Sequence, residues 1–229
     1  MNNVVMSKIL ITSGPTREYL DPIRYLTNAS SGRMGAALAT AALESGYEVI
    51  VVSGPVEVEY PAGCEVIHVV STEEMHVAAM QAFASCEGAI GAAAPCDYRP
   101  FSILTDKMSK DDFIRTPSAQ GELLLRLRET PDVMAALGEM KRGADDPLGR
   151  QWLVAFALET SDHHVRALQK LQRKHCDMIV VNDPTSINGR SSNVEILDPS
   201  GATLAKLSGV KLEIARRLIA EIRRVSKSH

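Results

Sequence analysis

The sequence predicts an α/β protein: a doubly wound, mostly parallel Rossmann-like sheet with an appended β-hairpin and a polar flap loop. Three observations carry that expectation. Short β-branched apolar runs alternate with stretches of helical periodicity between residues 9 and 183. Most of those runs are apolar on both faces, as strands covered by helices on either side must be. Parallel strands joined by helices need right-handed crossovers, which build an open wound sheet.

The elements follow in order. ILITSG (9–14) is the first predicted strand. RYLTNASSGRMG (24–35) then leads into AALATAALESG, whose alanines favour a helix over about 33–46. EVIVVSG (48–54) and EVIHVV (65–70) are the second and third strands, followed by a helix over 73–86. GAIGAAA (88–94) is the fourth strand, and its small residues leave room for a ligand close to the backbone.

Residues 97–122 break the alternation with a polar, charged stretch, the predicted flap loop. The leucines of ELLLRLRET (122–130) fit a helix or a strand. Pro131 and Asp132 open a new helix just afterwards, which favours the strand. A helix over 131–142, the strand WLVAFAL (152–158), a helix over 161–175 and the strand DMIVVND (177–183) complete the wound unit. NVEILD, PSG and ATLAKL read as a hairpin over about 193–207, and VKLEIARRLIAEIRRV (210–225) as an amphipathic helix. One domain over 1–229 accounts for all of it.

The composition narrows the function. Of 229 residues 45% are hydrophobic, enough for a core, and the net charge of −3 gives no electrostatic case for nucleic-acid binding. Aromatics are only 4%, too few for base-stacking platforms. No apolar run reaches the roughly 18 residues of a membrane span. MNNVVMSK lacks the pattern of a signal peptide. Cys64, Cys86, Cys96 and Cys176 have no metal or redox spacing, so buried reduced thiols and a cytoplasmic location are expected.

In wound sheets ligands bind beyond the carboxyl ends of the strands. Here those ends are SGPT, SGP, AAAPCDYRP, ALET and NDPTS, rich in hydroxyls, amides and carboxylates. Gly32 and Gly35 stand where a helix begins, which suits an anion or, equally, a tight turn with close packing. Asp97 can accept from ribose hydroxyls or start an Asx-turn. Lys107 and Lys110 lie on the polar loop, where solvated charges are the ordinary case. Lys170 and Lys174 are spaced i, i+4 and share a helix face, an arrangement that an anion between them would relieve. Glu159 suits a strand-end hydrogen-bond network, and His163 and His164 receive no role. No G-x-G-x-x-G follows the first strand, and Ser53-Gly54-Pro55 ends the second without a carboxylate for a ribose diol. That disfavours an NAD(P)-dependent reductase, and no P-loop motif occurs.

Several stretches together carry a resemblance. ITSGPTREYLDPIRYLTNASSGRMG (11–35), AAAPCDYRP (92–100), KMSK (107–110), TPDV (130–133), AFALET (155–160) and VVND (180–183) occur in one order. The chain resembles phosphopantothenoylcysteine synthetase, the phosphopantothenate–cysteine ligase of coenzyme A biosynthesis, from residue 8 to the last helix. The resemblance implies a free-standing form with a separate decarboxylase partner, and a homodimer for which the hairpin at 193–207 offers an edge. It implies that a phosphopantothenate carboxylate attacks the α-phosphate of CTP or ATP, with Mg²⁺ on the triphosphate and no protein metal site. Cysteine then takes the acyl group from the acyl-nucleotidyl anhydride.

The resemblance also assigns residues. The asparagine of the family's SNxSSGxMG falls on Asn28, which would hold the acyl phosphate. Arg24 would bind an acidic group of the acyl substrate. Nucleotide contacts fall on Gly91, Ala92 and Ala93, with Asp97 at the ribose. The first lysine of the family's K-x-K-K loop is Lys107, suited to neutralising triphosphate charge. Pro131, Asp132, Val133 and Met134 match its P-D-I-V turn beside the nucleotide. Phe156 of the GFAxET strand would stack near the base, and Lys170 and Lys174 match two helix lysines. Ser109, Pro95-Cys96, Ala155 and Leu158 depart from the family pattern. The alternatives from other classes are a non-catalytic nucleotide-binding subunit and the reductase.

Overall fold

The β-branched runs pair into one sheet of eight strands, wrapped on both faces by helices. The structure, a computed structural model, describes residues 7–109, 124–146, 149–158, 163–182 and 191–226. Most of the predicted flap (110–122, with Lys110), Glu159, the start of the 161–175 helix and Asp183 lie outside the described residues.

The sheet is built from β1 (Lys8–Ser13), β4 (Glu48–Ser53), β5 (Cys64–His68), β6 (Gly88–Gly91), β9 (Trp152–Leu158), β10 (Met178–Asn182), β11 (Ser191–Leu197) and β12 (Thr203–Val210). Four short strands stand apart: β2 (Arg17–Tyr19) pairs β3 (Tyr25–Thr27), and β7 (Tyr98–Pro100) pairs β8 (Leu127–Glu129). The helices are α1 (Arg33–Glu44), α2 (Thr72–Phe83), α3 (Val133–Met140), α4 (His163–Arg173) and α5 (Lys211–Ser226).

The order across the sheet is β12-β11-β10-β9-β6-β1-β4-β5. β5, β4, β1, β6, β9 and β10 are parallel throughout. Numbered along the chain these six read 3-2-1-4-5-6, the strand order of doubly wound nucleotide folds. β11 and β12 then add the predicted hairpin antiparallel.

Alternation along each strand sorts the core into two faces. Ile9, Ile11, Val49, Val51, Ile90, Val154 and Val180 pack with Leu38 of α1 and Ile214, Leu218 and Ile222 of α5. Leu10, Ile50, Val52, Ala89, Leu153 and Ile179 pack with Met75 and Phe83 of α2, Leu137 of α3 and Leu171 of α4. Truncating a fully buried leucine such as Leu137 to alanine costs about 2–5 kcal/mol. Cys86, Cys96 and Cys176 are buried, as expected, whereas Cys64 at the start of β5 is only half-buried; all four thiols are free. Burial pushes Cys86 up to about 11 and Cys176 to about 12, so neither offers a thiolate.

Local chemistry sets the helix starts. Ser71 caps α2 by accepting from the Glu74 amide at 3.2 Å, and Asp132 caps α3 through the Ala135 amide at 3.1 Å. α3 stops at Met140, short of the predicted residue 142, because Lys141 turns away to bind Asp177. β12 ends opposite Ser191, so α5 begins at the same carboxyl edge of the sheet as α1. Only Leu127–Glu129 of the stretch 122–130 is strand, and Leu124 stands 84% exposed beside it.

Candidate functional site at the carboxyl edge

Between β1 and β6 successive strands leave in opposite directions, and their carboxyl ends open a crevice. Beyond the sheet the two chains stay together. The Ala92 amide donates to the Thr12 carbonyl at 3.0 Å, the Ala94 amide to that of Gly14 at 2.9 Å, and Pro15 bridges Ala94.

Threonine hydroxyls then pin residues 96 and 97. Thr16 Oγ1 accepts from the Cys96 amide at 2.9 Å and bonds the Thr72 hydroxyl at 2.8 Å. The hydroxyls of Thr72 and Thr130 donate to the Cys96 carbonyl at 3.1 and 2.5 Å. The Thr130 amide donates to the Asp97 carbonyl at 3.0 Å, which ties this loop to the Pro131 turn. The Asp97 side chain is exposed and makes no hydrogen bond among the described residues, so it forms no Asx-turn there.

Asn28 follows the β2–β3 hairpin and faces this loop. Its Nδ2 donates to the Pro95 carbonyl at 2.8 Å and the Ala94 carbonyl at 3.3 Å. Four residues earlier, Arg24 Nη1 donates to Asp21 Oδ2 at 2.6 Å and to the Met108 carbonyl at 2.9 Å. Lys107, next to Met108, is exposed and unpaired among the described residues. The β2–β3 hairpin thus carries both contacts, Asn28 to the loop after β6 and Arg24 to the Lys107 segment.

Gly32 precedes α1 at φ 72°, a left-handed conformation that favours glycine, and a Cβ there would press to 2.8 Å from Val56. Among the described residues no side chain caps α1. Beneath it the Tyr60 hydroxyl donates to Ser13 Oγ at 2.8 Å, and Ser13 Oγ donates to the Gly32 carbonyl at 3.4 Å.

The second group of predicted residues assembles around α3. Gly91 lacks a Cβ because Met134 fills that space. Lys174 Nζ bonds Asp132 Oδ1 at 2.9 Å, and Arg173 approaches Oδ2 at 3.3 Å. Burial would raise the Asp132 pKa. Lys174, the Ala135 amide and Arg173 outweigh that and hold it below the ordinary carboxylate value. The anion beside Lys174 is therefore a protein carboxylate, while Lys170 sits half-buried on α4. Ala92 and Ala93 lean to opposite faces of the sheet. Phe156 packs on the α1–α5 face, whereas Met134 and Val133 lie on the other. Phe156, expected to stack near a base, and the P-D turn are thus divided by the sheet.

Sequence reasoning missed Asp21, Thr16, Thr72, Thr130 and Tyr60. Asp21-Pro22 carries a turn signal that marks the β2–β3 hairpin, but the threonines carry none. Among the described residues no group of three His, Cys, Asp or Glu side chains could hold a metal. An enclosed cavity of about 320 Å³, lined by Trp152, Met178 and Ile222 among others, lies at the opposite, amino edge of the strands. Among the described residues no helix is long and apolar enough to cross a membrane.

The pattern defining the DNA/pantothenate metabolism flavoprotein C-terminal domain matches residues 4–225. A cysteine/cysteine sulfinic acid decarboxylase of an unknown prokaryotic organism is 40% identical over 94% of this chain and 57% of its own length. The coenzyme A biosynthesis bifunctional protein CoaBC of Vibrio cholerae is 42% identical over 83% of this chain and 44% of its own. The chain thus spans about half the length of the curated relatives it matches. The solved C-terminal domain of a CoaBC protein superposes with a TM-score of 0.78 at 33% identity, covering 97% of both chains. A Cab2 variant in complex with phosphopantothenate-cysteine shares the fold, with a TM-score of 0.69 at 18% identity over 97% of this chain and 88% of its own. With the matched pattern spanning almost the whole described sheet, the chain belongs to the phosphopantothenoylcysteine synthetase family.

Proposed function

We propose that the protein is a ligase that joins 4′-phosphopantothenate to cysteine in coenzyme A biosynthesis, using CTP, or ATP in its place. The observation that carries this reading is the β2–β3 hairpin, which sets Asn28 against the loop after β6 and Arg24 against the Lys107 segment. It supplies an amide and two cations but no nucleophile, and its buried carboxylate, Asp21, is taken up by hydrogen bonds to Ile23, Arg24 and Met108. That suits a reaction in which both substrates bring their own nucleophiles and the protein stabilises charge.

In the first half-reaction a carboxylate oxygen of phosphopantothenate attacks the α-phosphorus, and the bond to pyrophosphate breaks. Arg24 holds an acidic group of the acyl substrate. Lys107 neutralises charge on the triphosphate, and Mg²⁺ arrives with the nucleotide. In the second half-reaction the cysteine amine attacks the acyl carbon and the nucleoside monophosphate leaves with the anhydride electrons. Asn28 steadies the acyl phosphate between the two steps by turning one Nδ2 hydrogen from the Ala94 carbonyl, 3.3 Å away, to a phosphate oxygen. Gly91, Ala92, Ala93, Asp97 and the 131–134 turn flank the nucleotide. Phe156 serves it only by reaching round the sheet edge from the opposite face.

The test is pyrophosphate release by the chain with phosphopantothenate, Mg²⁺ and cysteine. Release with CTP or ATP is expected, and its absence with both nucleotides overturns the ligase. A non-catalytic subunit would bind nucleotide without release. The 3-2-1-4-5-6 order favours a reductase as a second reading. Against it, Ser53 ends β4 engaged with Tyr60 rather than presenting a carboxylate. NADPH titration should leave cofactor fluorescence unchanged.

A cytoplasmic homodimer with a separate decarboxylase partner completes the proposal. β12 is an open sheet edge, as a dimer through the hairpin needs, although Lys206 on it discourages strand pairing. Exposed Tyr98, Phe101, Ile103 and Leu127 on and beside the β7–β8 ribbon offer a more apolar face. A monomer in sedimentation at micromolar concentration excludes both.

A further inference from the structure

We propose that Asp21 is a positioning residue that clamps Arg24 and the Lys107 segment into a single substrate-binding unit. The inference rests on the ligase reading and adds a residue to its site.

The carboxylate is completely buried, yet it lies in a short turn between two three-residue strands, of which β3 is mostly exposed. Each oxygen is doubly used. Oδ1 accepts the amides of Ile23 and Arg24, both at 2.8 Å. Oδ2 accepts Arg24 Nη1 at 2.6 Å and the Met108 amide, 87 residues away, at 3.1 Å. Arg24 closes the ring through its 2.9 Å bond to the Met108 carbonyl. The Leu104 amide, donating to the Leu20 carbonyl at 3.0 Å, adds a second tie between the two segments.

A turn needs only Oδ1. The Oδ2 half of the arrangement holds something else. It fixes Arg24 by one nitrogen, leaving Nε and Nη2 without partners among the described residues on a side chain 43% exposed. A guanidinium held at one corner presents its remaining edge to an anion with little entropy left to lose. The same oxygen anchors buried Met108, and Lys107 projects from the residue before it. Burial would raise the Asp21 pKa, but the Ile23, Met108 and Arg24 amides and the guanidinium hold it at about 2. The clamp is therefore charged throughout the working range. Asparagine at this position would turn one acceptor into a donor facing donors, so the charge and both oxygens are required.

The test uses the whole chain and compares Asp21→Asn, Arg24→Ala and the double variant. Asp21→Asn is expected to raise the KM for phosphopantothenate about tenfold, the scale of a lost charge-assisted hydrogen bond. Because Asp21 acts through Arg24, the same change in the Arg24→Ala background should alter KM less than about threefold. Equal factors in both backgrounds, or no effect in the parent, overturn the proposal. Amide exchange gives a reading independent of activity. The Met108 N–H should exchange about tenfold faster in Asp21→Asn, and an unchanged rate overturns the clamp. If Asp21→Asn does not fold, Arg24→Ala, at an exposed side chain, should still speed that amide about threefold, and an unchanged rate again decides against the clamp. A parent chain that releases no pyrophosphate refutes the ligase, while the exchange result still decides the clamp.

Discussion

The two edges of the sheet use their polar groups in opposite ways. At the amino edge Asp177 accepts from Lys141, Arg150 and the Leu153 amide. Nearby, Arg142 donates to the carbonyls of Ala84 and Cys86, and Gln151 to those of Phe83 and Cys86. Each charge there is used by the protein. At the carboxyl edge Lys107, Asp97 and two nitrogens of Arg24 have no protein partner among the described residues. A pocket of about 320 Å³ opens at the amino edge, but the unspent bonding capacity lies at the carboxyl edge. Open valence rather than cavity volume marks where chemistry belongs.

That contrast can be broken from either side. The largest effect should come at the amino edge, where Asp177→Ala strips the Leu153 amide and Arg150 of their partner and leaves Lys141 only the His175 carbonyl. Urea denaturation should register a loss of about 3 kcal/mol, with substrate KM values unchanged in the folded fraction. A shift in KM would mean the two edges are coupled. Asn28→Asp should do the reverse. Its kcat should fall about a hundredfold, as for a lost transition-state donor, with acyl-nucleotide accumulating and stability nearly constant. Unchanged turnover removes Asn28 from the reaction. Lys107→Met should lower kcat about tenfold without moving the urea midpoint, the mark of an exposed charge used only by substrate.

Asp132 sharpens the comparison because it belongs to both kinds of region, capping α3 and pairing Lys174 beside the proposed nucleotide site. Asp132→Asn should cost about 1 kcal/mol or less, since asparagine also caps and the pair is partly exposed. Its folded pKa lies below the unfolded 3.8, so the carboxylate's contribution is complete above that value and fades as pH falls through the depressed one. The acid-unfolding profile of Asp132→Asn should therefore differ fully from that of the parent above about pH 3.8 and converge with it only as pH falls through the depressed value.

The main sheet was legible because its strands are long enough for apolar runs to declare themselves, and the 193–207 hairpin because PSG separates two such runs. The three-residue strands β2, β3, β7 and β8 are too short and too polar for periodicity to register. The leucines of 122–130 misled in extent. Only Leu127–Glu129 finds a partner, and the stretch borders exposed surface rather than core. Arg24, Asn28 and Lys107 were found through the family resemblance. Their assembly was not visible, because it depends on Asp21 reaching Met108 and on threonine hydroxyls dispersed over more than a hundred residues. Lys174 shows the opposite limit: its spacing to Lys170 suggested an anion, and a carboxylate from another helix answers the need.

The returning hairpin has a kinetic corollary. By delivering α5 to the rim where α1 starts, it aims two helix dipoles the same way, and Arg33 and Lys211 open those helices; burial first, and the nearby Arg33 charge second, lower the Lys211 pKa. A molecule that is acidic as a whole therefore wears a basic collar on one edge. Polyphosphate ligands should be drawn to it from a distance, and their capture rate should slow as added salt shortens the reach of that field.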